Sequence, residues 1–289
     1  MKDALKGRKV NVICVGAQKS GTTTLYTILT KHPEFTFAHI KEVQYFATDP
    51  YTANHLAYHA HYRGRELNRW IADFTPRYLA HPDAASRIAA YNPDTHIIIL
   101  LRDPVQRAIS HYQMKIRNGN EKRPFAEVVQ TDIEALKKGI TVETGQSVVG
   151  RGLYAAQIAR YDALFPNKQI HVMRFDDLVK YQEATVNALL ERLGSAPIML
   201  SETVHANPAF EPQLKRVWKV VSRLPMVYTA RLRMLLRNQS RRSITQTTPQ
   251  IDEATLTLLR AFYREDLLTL QTRTDWDLSD WMKIPGEVL

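Results

Sequence analysis

The segment that most constrains this chain is a β-branched run leading directly into a glycine-bounded loop. Lys9 to Gly16 (KVNVICVG) has the apolar, β-branched composition of a short buried strand and ends on glycine. Gly16-Ala-Gln-Lys-Ser-Gly-Thr-Thr-Thr24 follows, and then a helical pattern from Gly21 to His32, with Leu25, Ile28 and Leu29 on one face and Pro33 closing it. A strand, a glycine turn and a helix N-terminus in this order form a cradle for an anion. The glycines let backbone N–H groups face the ligand, and the helix end adds partial positive charge. Lys19 supplies a full charge, and Ser20, Thr22 and Thr23 supply hydroxyls. The nucleoside-triphosphate version of such a loop reads G-x-x-x-x-G-K-[ST]. Here Gly16 and Gly21 keep the glycine spacing, but Thr22 stands at the lysine position and the lysine has moved inside the loop, to position 19.

The rest of the chain repeats the strand-then-helix alternation. Thr95 to Leu101 (THIIILL) predicts a second strand, followed by Arg102-Asp103-Pro104 and a helix from Val105 to Lys115. A helix from Tyr154 to Phe165 stops at Pro166-Asn167, and Gln169 to Phe175 (QIHVMRF) predicts a third strand. Val186 to Leu193 predicts a helix ended by Gly194, and Ile251 to Leu270 a long one. Gly119 to Pro124 and Gly139 to Gly152 read as loops. This alternation predicts an α/β fold of the three-layer, P-loop type, with a mostly parallel central sheet flanked by helices in a single domain over 1–289.

Composition narrows the class. Hydrophobic residues are 44% and charged residues 24%, which is globular usage and excludes a disordered or fibrous chain. A lone cysteine, Cys14, excludes a disulfide framework and a cysteine-based zinc site. The N-terminal residues lack the long apolar region of a signal peptide. The longest aliphatic run, Ile97 to Leu101, is far short of the ~18 residues a membrane span needs. The expectation is a soluble cytoplasmic protein. The net charge of +10 is unevenly placed: nine basic residues between Asn207 and Ile244 face one acid, Glu211, so this stretch carries +8. Its loosely helical apolar spacing, broken at Pro225, predicts two basic helices with the 251–270 helix packed on them. Such a face is either simply solvated or a platform for an acidic acceptor or an anionic surface.

Five segments carry a resemblance. Lys19-Ser-Gly-Thr-Thr-Thr-Leu25 resembles the 5′-phosphosulfate loop of the sulfotransferase superfamily, K-[ST]-G-T-[ST]-x-L. Leu101-Arg-Asp-Pro-Val-Gln-Arg-Ala-Ile-Ser-His-Tyr112 resembles its 3′-phosphate block, R-[DN]-P-x-x-R-x-x-S-x-[YW]. Arg151-Gly-Leu-Tyr154 resembles its G-x-Y segment. Lys41-Glu-Val-Gln-Tyr-Phe46 is similar to K-E-x-x-[FY]-F of the heparan sulfate and bacterial carbohydrate branch, and Leu267 to Trp281 resembles the closing segment of bacterial members.

This resemblance implies 3′-phosphoadenosine-5′-phosphosulfate (PAPS) as donor, the nucleotide 3′,5′-ADP as product, no metal, and a small-molecule or glycan acceptor rather than a nucleic acid. It implies that Lys19 stabilises the leaving phosphate and that Ser20, Gly21, Thr22, Thr23 and Thr24 hold the 5′-phosphate. Arg102 and Ser110 would hold the 3′-phosphate, Tyr154 would join them, and Arg241 and Arg242 would close over the donor. Glu42 is implied as the base, its carboxyl raised by burial beside Tyr45 and Phe46, although Lys41 would oppose that shift if it points the same way. The first-half histidines compete for the role. Lys41, His59, Arg77 and His111 are candidates to face the acceptor; His59-Ala-His61 has metal-like spacing but no third ligand. The chain departs from vertebrate relatives in two places. Phe74 stands where they carry a lysine before T-P-x-Y, leaving Arg77 to serve from another direction, and their disulfide-bound loop is missing. Two other readings stay open: a small-molecule kinase with Asp103 on magnesium, and a non-catalytic binder of nucleic acid or anionic membrane through 215–242.

Overall fold

The computed structural model describes residues 3–140, 147–204 and 251–284. The basic segment 207–244, with Arg241 and Arg242, lies outside the described residues, and so does the packing of the C-terminal helix on it.

Five strands form one all-parallel sheet: β1 (Val12–Gly16), β2 (Phe35–Phe37), β3 (Trp70–Phe74), β4 (His96–Leu101) and β5 (Ile170–Arg174), in the order β2-β3-β1-β4-β5. The three strands expected from the sequence are present with ends trimmed, and β2 and β3 join them. The described helices are α1 (Thr22–Leu29), α2 (His55–His59), α3 (Ala84–Tyr91), α4 (Pro104–Arg117), α5 (Phe125–Lys137), α6 (Tyr154–Asp162), α7 (Phe175–Lys180), α8 (Gln182–Leu193), α9 (Glu253–Thr274) and α10 (Ser279–Met282).

Strand alternation builds the three layers. Val12 and Cys14 of β1 face the apolar stripe of α1 (Leu25, Ile28, Leu29) and α8 (Val186, Leu190, Leu193), with Ala72, Ile98 and Leu100 in the same layer. Ile13 and Val15 point the other way, with Ile97 and Ile99, into a larger core with α3, α4, α5, α6 and α9. Because side chains alternate along a strand, one buried run serves two cores only if helices cover both faces.

The helix ends follow from local chemistry. Asp103 caps α4 by accepting the Val105 and Gln106 N–H groups at 2.8 and 3.3 Å, with Pro104 at the first helical position. Asp252 caps α9 through the Thr255 N–H at 2.7 Å, and Gly194 ends α8 at φ 66°.

In a parallel sheet every carboxyl end lies on one edge. Strand order reverses at β1, which pairs with β3 on one side and β4 on the other. The edge outside that switch point is where such folds bind ligands. The β1–α1 loop, Arg102 after β4, Arg77 after β3, Lys41 and Glu42 after β2 and Phe175 after β5 all leave from this edge.

Candidate active site

The β1–α1 loop is shaped by its glycines. A Cβ on Gly16 would come within 2.5 Å of Leu79 Cβ, and one on Gly21, at φ 88°, within 2.8 Å of the Phe175 ring. The loop is tied to β4 by the Ala17 N–H on the Leu100 carbonyl at 2.7 Å. The N–H groups of Lys19, Gly21, Thr22 and Thr23 find no acceptor among the described residues, and the buried Ser20 hydroxyl has no partner either. Free donors on a helix N-terminus, in a cradle that no side chain could enter, fit a phosphate.

Cations surround the loop. Lys19 is mostly buried, and its ammonium is pushed down to about 8, by burial first and then by Arg117, Arg102 and Lys41, with Glu42 opposing. Arg102 lies over the Phe175 ring at 4.7 Å and donates to the Lys19 carbonyl at 3.4 Å. Tyr154, at the start of α6, donates to the Arg102 carbonyl at 2.7 Å. Ser110 is partly buried one helix further along, on α4.

Asp103 pairs away from Arg102. Both its oxygens take Arg260 of α9, at 2.9 and 2.7 Å, while one also caps α4. A carboxylate so engaged is not placed as a magnesium ligand, which removes the footing of the kinase reading. Among the described residues no group of three or more His, Cys, Asp or Glu side chains has metal-holding geometry.

The Lys41–Phe46 segment docks on the end of β3. The Gln44 N–H reaches the Thr75 hydroxyl and the Phe46 N–H the Tyr78 hydroxyl, each at 3.4 Å. Beneath them Asp73, 1% exposed, accepts the hydroxyls of Tyr58, Tyr78 and Thr75 at 2.9, 2.9 and 2.7 Å; burial raises its carboxyl against those three bonds. Glu42 stands at φ 65°, close enough to bias both Lys19 and Arg151. The burial expected around it is absent: its side chain is 40% exposed and pairs with Lys41 at 2.9 Å. Phe46 has turned into the core instead.

Two further expectations change. His59 does not face a cleft; its nitrogens sit 2.7 Å from an Asp3 oxygen and 2.8 Å from the Tyr91 hydroxyl, and it is 6% exposed. His111 is 2% exposed, its Nδ1 has no partner, and burial beside Arg107, Arg151, Lys115 and Lys19 keeps it neutral, so no acceptor reaches it. Arg77 stays at the edge but leans on the Gln44 side chain at 3.5 Å. Phe74 is core, against Tyr26 and Phe37.

Two arginines carry more than the sequence assigned them. Arg151, 6% exposed, donates to the Gln18 side chain inside the loop. Arg107, within the Arg102–Tyr112 block, is fully buried and donates to the Val148 carbonyl. Both stand in quoted motifs, but only packing shows which way they point.

A parallel α/β sheet with a lysine-bearing phosphate loop at its switch point, and an arginine from the neighbouring strand beside it, defines a class of nucleotide-dependent group-transfer proteins. Within that class the chain belongs to the sulfotransferase domain family, which it matches over residues 9–209. It is 27% identical over 267 residues to human heparan sulfate glucosamine 3-O-sulfotransferase 3B1, covering 92% of this chain and 63% of that protein. It is 37% identical over 111 residues to the membrane-associated sulfotransferase kil1 of Dictyostelium discoideum, covering 37% of this chain and 23% of that one. The chain thus spans less than two thirds of these relatives. The crystal structure of a sulfotransferase from Alicyclobacillus acidocaldarius has the same fold, with a TM-score of 0.72 at 22% identity over 96% of this chain and all of that one.

Proposed function

We propose that this protein transfers the sulfuryl group of PAPS to a hydroxyl of a carbohydrate or glycoconjugate. The observation that carries this is the pairing of unpartnered loop donors around Lys19 with Arg102 at the same sheet edge. The glycan class rests on the relatives whose names specify heparan sulfate glucosamine. The cytoplasm is the proposed compartment, to be checked by fractionation.

In the proposed reaction the acceptor oxygen attacks sulfur as the bond from sulfur to the bridging phosphate oxygen breaks. The electron pair leaves on the 5′-phosphate and the acceptor proton passes to Glu42. Lys19 and the loop amides meet the charge that develops on the leaving phosphate, where fixed dipoles cost no reorganisation. Ser20 and Thr22–Thr24 would hold the 5′-phosphate, and Arg102 with Ser110 the 3′-phosphate, a task suited to a guanidinium fork. Lys41 aims Glu42 through their 2.9 Å contact. Arg77, at the rim, is the remaining candidate to meet the acceptor.

Isothermal calorimetry tests the donor site: 3′,5′-ADP binds, 5′-AMP binds far more weakly, and Arg102→Ala loses the difference. Equal binding of the two nucleotides to the native protein overturns the reading. Glu42→Gln keeps nucleotide affinity and loses turnover by ~10²–10⁴-fold, the usual share of a general base.

A further inference from the structure

Residues 147–152 form a buried strap between α5 and α6, gripped from four helices. On α5, Asp132 accepts the Ser147 hydroxyl at 2.9 Å and the Val148 and Val149 N–H groups at 2.6 and 2.9 Å, all on one carboxylate oxygen. From α4, Arg107 donates to the Val148 carbonyl, and from α9, Tyr263 donates to the Val149 carbonyl at 2.8 Å. The strap closes on itself where the Gly150 N–H meets the Ser147 hydroxyl at 2.7 Å, and Gln157 of α6 donates to the Gly150 carbonyl at 3.1 Å. Gly152 has no room for a side chain, since a Cβ there would come within 2.8 Å of the Tyr263 ring.

The strap touches both nucleotide blocks. It delivers Arg151 to Gln18 of the phosphate loop, and three residues later Tyr154 to the Arg102 carbonyl at 2.7 Å. We infer that Asp132 is a positioning residue for the donor site: by fixing the strap it sets Arg151 on the phosphate loop and Tyr154 on the Arg102 corner. A charged acceptor holding three donors in a low-dielectric interior is stiff in a way that apolar packing is not. A strap freed from Asp132 keeps its apolar neighbours but loses the register that aims Arg151. Asp132 itself is in α5, outside every motif block, and touches neither Lys19 nor Arg102 through any bond above. The inference rests on the donor reading.

The test is a cycle with Asp132→Asn, Gln18→Ala and the double variant, read by 3′,5′-ADP affinity and by hydrogen exchange of peptide 16–25 in the nucleotide-free proteins. Each single variant is expected to weaken 3′,5′-ADP on the order of tenfold, and the double variant to lose clearly less than the product of the two. Asp132→Asn is expected to speed exchange in peptide 16–25 while β5 is unchanged. Native-like affinity and exchange in Asp132→Asn, or losses that multiply, overturn the inference. If Asp132→Asn speeds exchange in β5 as well, Ser147→Ala, which removes one of the three donors, takes its place in the cycle with the same expected outcomes. If the native protein binds no 3′,5′-ADP, the donor reading has failed and exchange of peptide 16–25 alone decides the role of Asp132.

Discussion

Lys19 is where local geometry and electrostatics meet. It sits at φ 75°, a backbone region that costs a non-glycine residue on the order of 1 kcal/mol, inside a loop bounded by two glycines. Burial and three neighbouring cations bring its ammonium down to about 8, so the unliganded protein sheds that charge as pH rises through about 8. An anion beside it favours the charged form and returns its pKa toward the ordinary 10.5. Binding of 3′,5′-ADP therefore takes up a proton between those two values, and affinity falls as pH climbs across that window. Calorimetry at pH 9 in buffers of different ionisation enthalpy reads the uptake directly. Lys19→Arg, whose guanidinium stays protonated, abolishes it. No proton uptake by the native protein would mean that Lys19 does not face the bound anion.

Helix α9 is the element that locks the site from behind. Arg260 holds Asp103 at the start of α4, and Tyr263 reaches the strap. Asp266 accepts the N–H groups of Tyr154 and Ala155 at 2.7 and 3.1 Å and so caps α6 from another helix. Burial raises the Asp266 carboxyl to about 6, against the pull of those bonds. A folded-state value above the unfolded 3.8 means that the native state binds the extra proton, so this group costs stability as pH rises from about 4 to about 6. Asp266→Asn keeps a cap oxygen and removes the titration. The stability difference, native minus Asp266→Asn, should then fall by about 3 kcal/mol across that window, since one unit of pKa is worth about 1.4 kcal/mol. Urea denaturation at pH 4 and pH 6.5 measures it, and a flat difference would show that Asp266 is not desolvated as its position implies.

At the scale of the whole molecule, one edge of a parallel sheet gathers groups from every strand, so a ligand there bridges elements that otherwise meet only through the core. A saturating ligand stabilises a fold by about 2.7 kcal/mol at one hundred times its Kd. The Tm should rise by several degrees with 3′,5′-ADP and not with 5′-AMP, and Arg102→Ala should show no difference between the two.

Much of this architecture was legible in the sequence because its signals are local. A β-branched run, two glycines and an amphipathic stretch are read within a window of ~20 residues, and so are β1, α1, β4, α4, α6 and β5. β3 was not, because Asp73 interrupts its apolar run and is made tolerable by the hydroxyls of Tyr58, Thr75 and Tyr78, which only the folded chain brings onto it. β2 has three residues, too few for a periodic pattern. At the site, Lys19 and Arg102 follow directly from strand ends, so their placement came with the strands. Histidine roles did not, since nothing local shows that His59 would meet Asp3 and Tyr91 in the core.

By itself, then, the sequence determined which residue types stand at the ends of which strands, and with them the Lys19 loop and Arg102 at one sheet edge. Tertiary structure alone decided which way each side chain points. It turned Arg107 into the strap and Arg151 onto Gln18, left Glu42 half-exposed on Lys41, and spent Asp103 on Arg260. The physical reason is range. Propensity and turn chemistry act over a few residues, whereas the energy of a buried charge depends on partners that arrive from anywhere in the chain.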